Sequence, residues 1–148
     1  FSKAEKYNLG GIVLNHGNLT REGALLLQAK SDLLILTSWK IKDKGEPLTG
    51  KFFEYMAMEK PIVALITGNA SEGRIKGIIN DTNLGICFEE ANYPTDYPKL
   101  LEYIMTRFQE VKLTNQISHY PVVSNLQRYN YKNIAKQYEN IIDKLIDS

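Results

Sequence analysis

The segment Gly45-Glu-Pro-Leu-Thr-Gly-Lys-Phe52 fits the first seven places of the phosphate-loop pattern G-x-x-x-x-G-K-[ST], in which amides cradle a phosphate and a hydroxyl holds magnesium. The eighth place is Phe52, whose ring cannot ligate a metal. Pro47 removes one amide from the cradle, and no strand ends in an Asp that could serve as second magnesium partner. Triphosphatase chemistry and a bound metal are therefore not expected. What remains is a helix start. Thr49, Gly50 and Lys51 stand where a helix follows a strand, so free amides and the positive end of the helix dipole favour an anion there. Gly50 lets a ligand approach the backbone, and Lys51 adds a charge. Glu54, three residues beyond Lys51, lies on the same side and leans toward the same anion. A carboxylate beside a phosphate is costly unless it accepts hydrogen bonds from ligand hydroxyls. A ribose diol next to a diphosphate meets that requirement, and Glu46 offers a second hydroxyl acceptor farther along. A nucleotide sugar has this arrangement of groups.

These residues need a frame. Gly11 to Asn15 is a short apolar run ending in His16-Gly17-Asn18 and reads as a buried strand. Thr20 can cap the helix that follows through Ala29. Asp32 to Ser38 is the next apolar run, and the polar stretch from Trp39 to Gly50 is a long loop of the kind that binds ligands. A helix over Lys51 to Met58 ends at Lys60-Pro61. Ile62 to Ile66 is a strand, Ser71 a cap for a helix with Ile75, Ile78 and Ile79 inward, and Leu84 to Phe88 the last strand. Two helices close the chain, with Tyr97 to Phe108 and Tyr131 to Leu145 apolar at helical spacing. Lys112 to Asn125 connects them. Apolar strands separated by helices predict an α/β, Rossmann-like parallel sheet covered on both faces, with ligands at the carboxyl ends of its strands.

Composition bounds the partners. The chain has 148 residues, 18 basic and 17 acidic, for a net charge of +1. That gives no field for nucleic acid. Its apolar runs are too short to span a bilayer, and no signal peptide opens it, so the expectation is a cytoplasmic protein. The single Cys87 reads as an inert core residue. His16 and His119 read as structural or solvent-facing, Trp39 as packing, and the tyrosines of the last helix as core.

The order and spacing of these segments resemble the C-terminal half of GT-B glycosyltransferases, and are most similar to the retaining family 4. The resemblance rests on Asp32-Leu-Leu-Ile-Leu-Thr-Ser38, on Glu46 and Glu54 as an E-x7-E pair, and on Gly50-Lys-Phe-Phe-Glu-Tyr-Met-Ala-Met-Glu-Lys-Pro-Ile-Val-Ala64. His16-Gly17 and Asn83-Leu-Gly-Ile-Cys87 are similar to weaker landmarks, and Tyr131 to Tyr138 to the family's last helix. The resemblance implies that Glu54 binds the donor ribose, that Glu46 contacts the donor sugar as the catalytic residue, and that Thr49, Gly50 and Lys51 approach the diphosphate. Gly17 and Ser38 would line the base and sugar pocket. No metal and no cofactor beyond the donor substrate are implied. The family usually has glycines where Pro47 and Thr49 stand. Its Gly-Gly-x-x-Glu loop corresponds to Gly68-Asn-Ala-Ser-Glu72, where Glu72 is given no role.

On this reading residues 1–148 are one nucleotide-sugar-binding domain and a piece of a longer enzyme, as an opening at Phe1 without Met also suggests. The full protein would move a sugar to a glycan or lipid-linked acceptor held by its N-terminal half, in polysaccharide assembly, at the inner face of the membrane or free in the cytoplasm. The piece alone is expected to be inactive. In a sheet ordered 3-2-1-4-5-6 the Gly11 to Asn15 strand would lack its neighbours, and would pair with absent strands or with a second copy. The later three strands are expected side by side. A nucleotide-sugar epimerase of the same architecture and a non-catalytic α/β module are the alternative functions.

Overall fold

The computed structural model describes residues 2–146; Phe1, with which the chain opens, lies outside them. Two compact units result, one up to Lys30 and one from Ser31 onward. The first unit holds helices α1 (Ser2–Lys6) and α2 (Arg21–Lys30). Thr20 caps α2 as expected, its Oγ1 accepting the Gly23 N–H at 3.1 Å. The Gly11 to Asn15 segment corrects the sequence reading: it forms no strand and is exposed throughout. Ile12 and Val13 donate their amides to Leu9 instead, closing a turn around Gly10 and Gly11. A strand needs a partner for its backbone groups, and no described strand pairs with this run.

The second unit contains β1 (Leu34–Lys40), α3 (Gly50–Ala57), β2 (Ile62–Gly68), α4 (Arg74–Thr82), β3 (Gly85–Glu89), α5 (Tyr93–Thr114), α6 (Val123–Leu126) and α7 (Tyr131–Ile146). It is α/β, with a three-stranded parallel sheet in the order β1-β2-β3, so the three strands are neighbours as expected. Leu36, Ala64 and Cys87 stand side by side in register, as do Ser38, Ile66 and Glu89. Side chains alternate across the sheet. Leu36, Ala64, Ile66 and Cys87 pack with Phe52 and Met56 of α3 and Ile75, Ile78 and Ile79 of α4 into one core. Cys87 is buried there, as its position predicts.

Coverage of the other face is uneven. On β3 the Phe88 ring meets Tyr93 edge-on at 5.9 Å, and Tyr93 stacks on Tyr97 at 4.9 Å. On β1 Ile35 is 58% exposed and Trp39 47%. The expectation of two covered faces, and of a packed Trp39, therefore fails at this strand. Burial alternates along it as in a half-buried strand.

Candidate functional site

The carboxyl ends of β1 and β2 bound an open hollow of about 620 Å³ lined by Thr37, Ser38, Trp39, Pro47, Thr49, Leu65 and Thr67. The loop that closes one side is built in two steps. Ile41 to Gly45 folds back on itself through an antiparallel bridge, with Asp43 and Gly45 at positive φ. The chain then drives Glu46 inward, half-buries Leu48 against the core, and reaches Thr49 in extended geometry at the start of α3.

The starts of α3 and α4 differ in a way that decides where an anion fits. At α4 the amides of Glu72, Gly73 and Ile75 are already occupied. Glu89 Oε2 and Oε1 accept the N–H groups of Glu72 and Gly73 at 2.9 and 2.6 Å, and Glu46 Oε2 accepts that of Ile75 at 2.9 Å. Both carboxylates lie against Gly73, where an added Cβ would stand 2.6 Å from Glu46 Oε1 and 2.9 Å from Glu89 Oε1. Lys76 ties this cluster together, with Nζ 3.1 Å from both Glu89 Oε2 and Asp96 Oδ2. Burial opposes a charge on Lys76, but hydrogen bonds and attraction from Glu89 and Asp96 outweigh it and raise its pKa. Cys87 borders the same cluster. Burial first, then the charges of Glu89 and Glu46, push its thiol up to about 12.

At α3 no such capping occurs. Thr49 makes no side-chain cap hydrogen bond, the first turn has no acidic residue, and a Cβ added at Gly50 would meet nothing within 4 Å. Gly50 and Lys51 are exposed; Glu54, one turn on, is half-buried. Burial, and secondarily the Glu54 carboxylate, raise the pKa of neighbouring Tyr55.

The sequence-predicted residues thus fall into three groups. Ser38 and Thr49 line the hollow, and Gly50, Lys51 and Glu54 follow along α3. Glu46 is 8% exposed and its carboxylate is turned to the start of α4. Gly17 belongs to the first unit, where its N–H donates to Asn15 Oδ1 at 2.9 Å. Among these predicted residues, Ser38 Oγ and Glu46 Oε1 are buried oxygens that find no partner among the described residues.

Sequence reasoning missed the Glu89, Asp96 and Lys76 network. Its signal was an acidic pair closing an apolar strand and an Asp in the first turn of the following helix. It also missed how the loop after β2 is held. Gly68 donates to Glu90 Oε2 at 2.8 Å, Asn69 Oδ1 accepts the Lys42 amide at 3.0 Å, and Lys40 Nζ donates to the Ser71 carbonyl. Ser71 does not cap α4; Gly73 occupies that position. His16 is exposed, as expected, and His119 half-buried, where burial and the Arg107 charge lower its pKa. No helix among the described residues is long and apolar enough to cross a membrane. No protein-family model, curated protein or solved structure matches the chain.

Proposed function

We propose that this chain is the donor-binding portion of a retaining glycosyltransferase of the GT-B type, similar to family 4, which transfers a sugar from a nucleotide diphosphate to a glycan or lipid-linked acceptor. The observation that carries the reading is the open start of α3 beside the hollow at the ends of β1 and β2, against an α4 start filled by the protein's own carboxylates. A diphosphate fits the first and is repelled by the second. Lys51 and the α3 amides meet the diphosphate, Glu54 takes the ribose hydroxyls, and the hollow beside Trp39 and Ser38 receives the rest of the donor. Ser38, one of the residues that line the hollow, carries a hydroxyl oxygen with no partner among the described residues. In the transfer step negative charge grows on the leaving diphosphate. Preorganised amides and the Lys51 ammonium stabilise it without reorganising.

Ligand-observed NMR with UDP, GDP and ADP tests the reading. One of the three should bind, and Lys51→Ala and Glu54→Ala should each weaken it by about tenfold, the size of one charge-assisted hydrogen bond. Absence of binding by all three, or binding indifferent to both substitutions, overturns the assignment.

A further inference from the structure

A second cavity, of about 310 Å³, lies at the amino end of β3, the opposite end of the sheet from the hollow between β1 and β2. Its walls include Tyr103 and Arg107 of α5, Gly85 at the start of β3, and His119 of the connector between α5 and α6. Tyr103, Arg107 and Glu110 recur at intervals of four and three, so they share one face of α5. Three bonds tie the connector down. Arg107 Nη1 donates to the Ser118 carbonyl, Glu110 Oε2 accepts the Ser118 amide at 3.3 Å, and Asn83 Nδ2 donates to the Tyr120 carbonyl at 2.8 Å. Tyr103 is half-buried, with the Arg107 guanidinium 5.2 Å from its ring centre. The tyrosines of α7 stand in solvent instead, Tyr138 65% exposed and Tyr131 more so, which corrects the expectation that they are core.

Arg107 Nε and His119 Nε2, on residues that both line this cavity, are buried without a hydrogen-bond partner among the described residues. The Arg107 N–H can only donate, and a buried donor on a charged group is costly to leave unpaired. Nη1 is spent on Ser118 and on Glu110, whose Oε2 lies 3.1 Å away, so Nε is the buried donor left for an occupant. Burial first, and the Arg107 charge second, lower the His119 pKa; burial raises that of Tyr103 while Arg107 opposes it. The positive field of Arg107 thus reaches both rings. A cavity of this size with convergent polar groups and shifted titrations has the character of a small-molecule site.

A negative occupant answers both nitrogens. It accepts from Arg107 Nε, and it favours a proton on His119 Nε2, which then donates a second bond. Two donors match the two oxygens of a carboxylate. A phosphate dianion brings more oxygens than these donors can serve and more charge near Glu110, which already shares the guanidinium. His119 also borders another cavity, but there Asp32 and Glu59 stand against Lys60 alone and repel an anion. The occupant therefore belongs on the Arg107 side.

We propose that this cavity binds a small carboxylic acid, held as its carboxylate between Arg107 Nε and His119 Nε2. The site is separate from the hollow at the ends of β1 and β2 and does not depend on the function given to that hollow.

NMR of the histidine side chains in the full chain tests it, with acetate and benzoate as probes, inorganic phosphate as competitor and acetamide as neutral control. The chain has two histidines, and exposed His16 serves as internal reference. Either carboxylate at millimolar concentration should shift the His119 resonances saturably and leave His16 in place. It should also raise the His119 pKa, because the anion favours the imidazolium, so binding should weaken as pH rises from about 6 to about 8. Glu110→Gln keeps an acceptor for the Ser118 amide but removes the competing charge, and should tighten binding about threefold, a gain that misfolding cannot produce. Arg107→Lys keeps a cation beside Glu110 but loses the Nε donor, and should weaken binding about tenfold. No response of His119 to either carboxylate overturns the proposal. So does an equal response to acetamide, equal shifts at His16 and His119, tighter binding of phosphate than of acetate, or binding indifferent to both substitutions.

Discussion

A buried backbone amide must find an acceptor wherever it lies, and at Ile75 that acceptor is a side chain from a distant loop, Glu46, at 2.9 Å. This ties the β1–α3 loop to the start of α4 independently of any ligand. Glu46→Ala leaves the Ile75 amide buried and unpaired and is expected to cost about 1–3 kcal/mol in urea unfolding. Glu46→Gln keeps an acceptor oxygen and should cost clearly less. Under the proposed transferase reading the two variants also separate structure from chemistry: a role on the donor sugar predicts that Glu46→Gln in the full-length protein loses turnover while retaining stability. Equal destabilisation by Gln and Ala would contradict the capping role. The spacing of Glu46 and Glu54 was legible in the sequence, since it is a matter of counting. The direction of the Glu46 side chain was not, because it is set by α4 amides that lie near it only once the strands have paired.

At the scale of elements, the core strands and the helices between them could be read from apolar runs and boundary signals: Pro61 before β2 and Thr20 before α2. Coverage could not. Leu33 to Leu36 within the Asp32 to Ser38 run are apolar without a break, which reads as a strand covered on both faces, yet α3 covers one face of β1 and leaves Ile35 on the other. Adjacent positions of this strand should therefore respond very differently to substitution. Leu36→Ala opens a cavity among Phe52, Met56 and Ala64 and is expected to cost about 2–5 kcal/mol. Ile35→Thr removes a side chain that is already mostly in water and should stay within about 0.5 kcal/mol. Denaturant midpoints at constant slope measure both, and a comparable loss at Ile35 would show that this face is covered. The Gly11 to Asn15 run fails for a related reason. Its residue types suit a strand, but strand structure belongs to a pair, and local composition carries no information about a missing neighbour.

The whole molecule has buried titratable groups whose folded state prefers one protonation form, which bounds its stability on both sides of neutrality. His119 is held below its ordinary value of 6.5 by burial and by Arg107, so the fold favours the neutral imidazole. Between its lowered value and 6.5 the unfolded chain binds more protons, and stability rises with pH. The His119 contribution is complete above about pH 6.5 and is lost as pH falls. Lys76 and Cys87 act at the other end. Burial opposes the Lys76 charge, but Glu89 and Asp96 raise its pKa above the ordinary 10.5, and the Cys87 thiol is pushed up from 9.0 to about 12. In both cases the folded protein holds a proton that the unfolded chain gives up, so stability falls as pH climbs from about 9 for Cys87 and from about 10.5 for Lys76. Unfolding free energies measured in urea from pH 5 to 11 should form a plateau between about 6.5 and 9 with losses on both sides. His119→Gln should flatten the slope between pH 5 and 6.5 while leaving the alkaline loss in place, and Cys87→Ala should delay the onset of the alkaline loss toward 10, where the Tyr55 and Tyr103 phenols, both raised by burial from 10.0, begin to contribute. An acid slope unchanged by His119→Gln would mean that the imidazole is not buried in the folded chain.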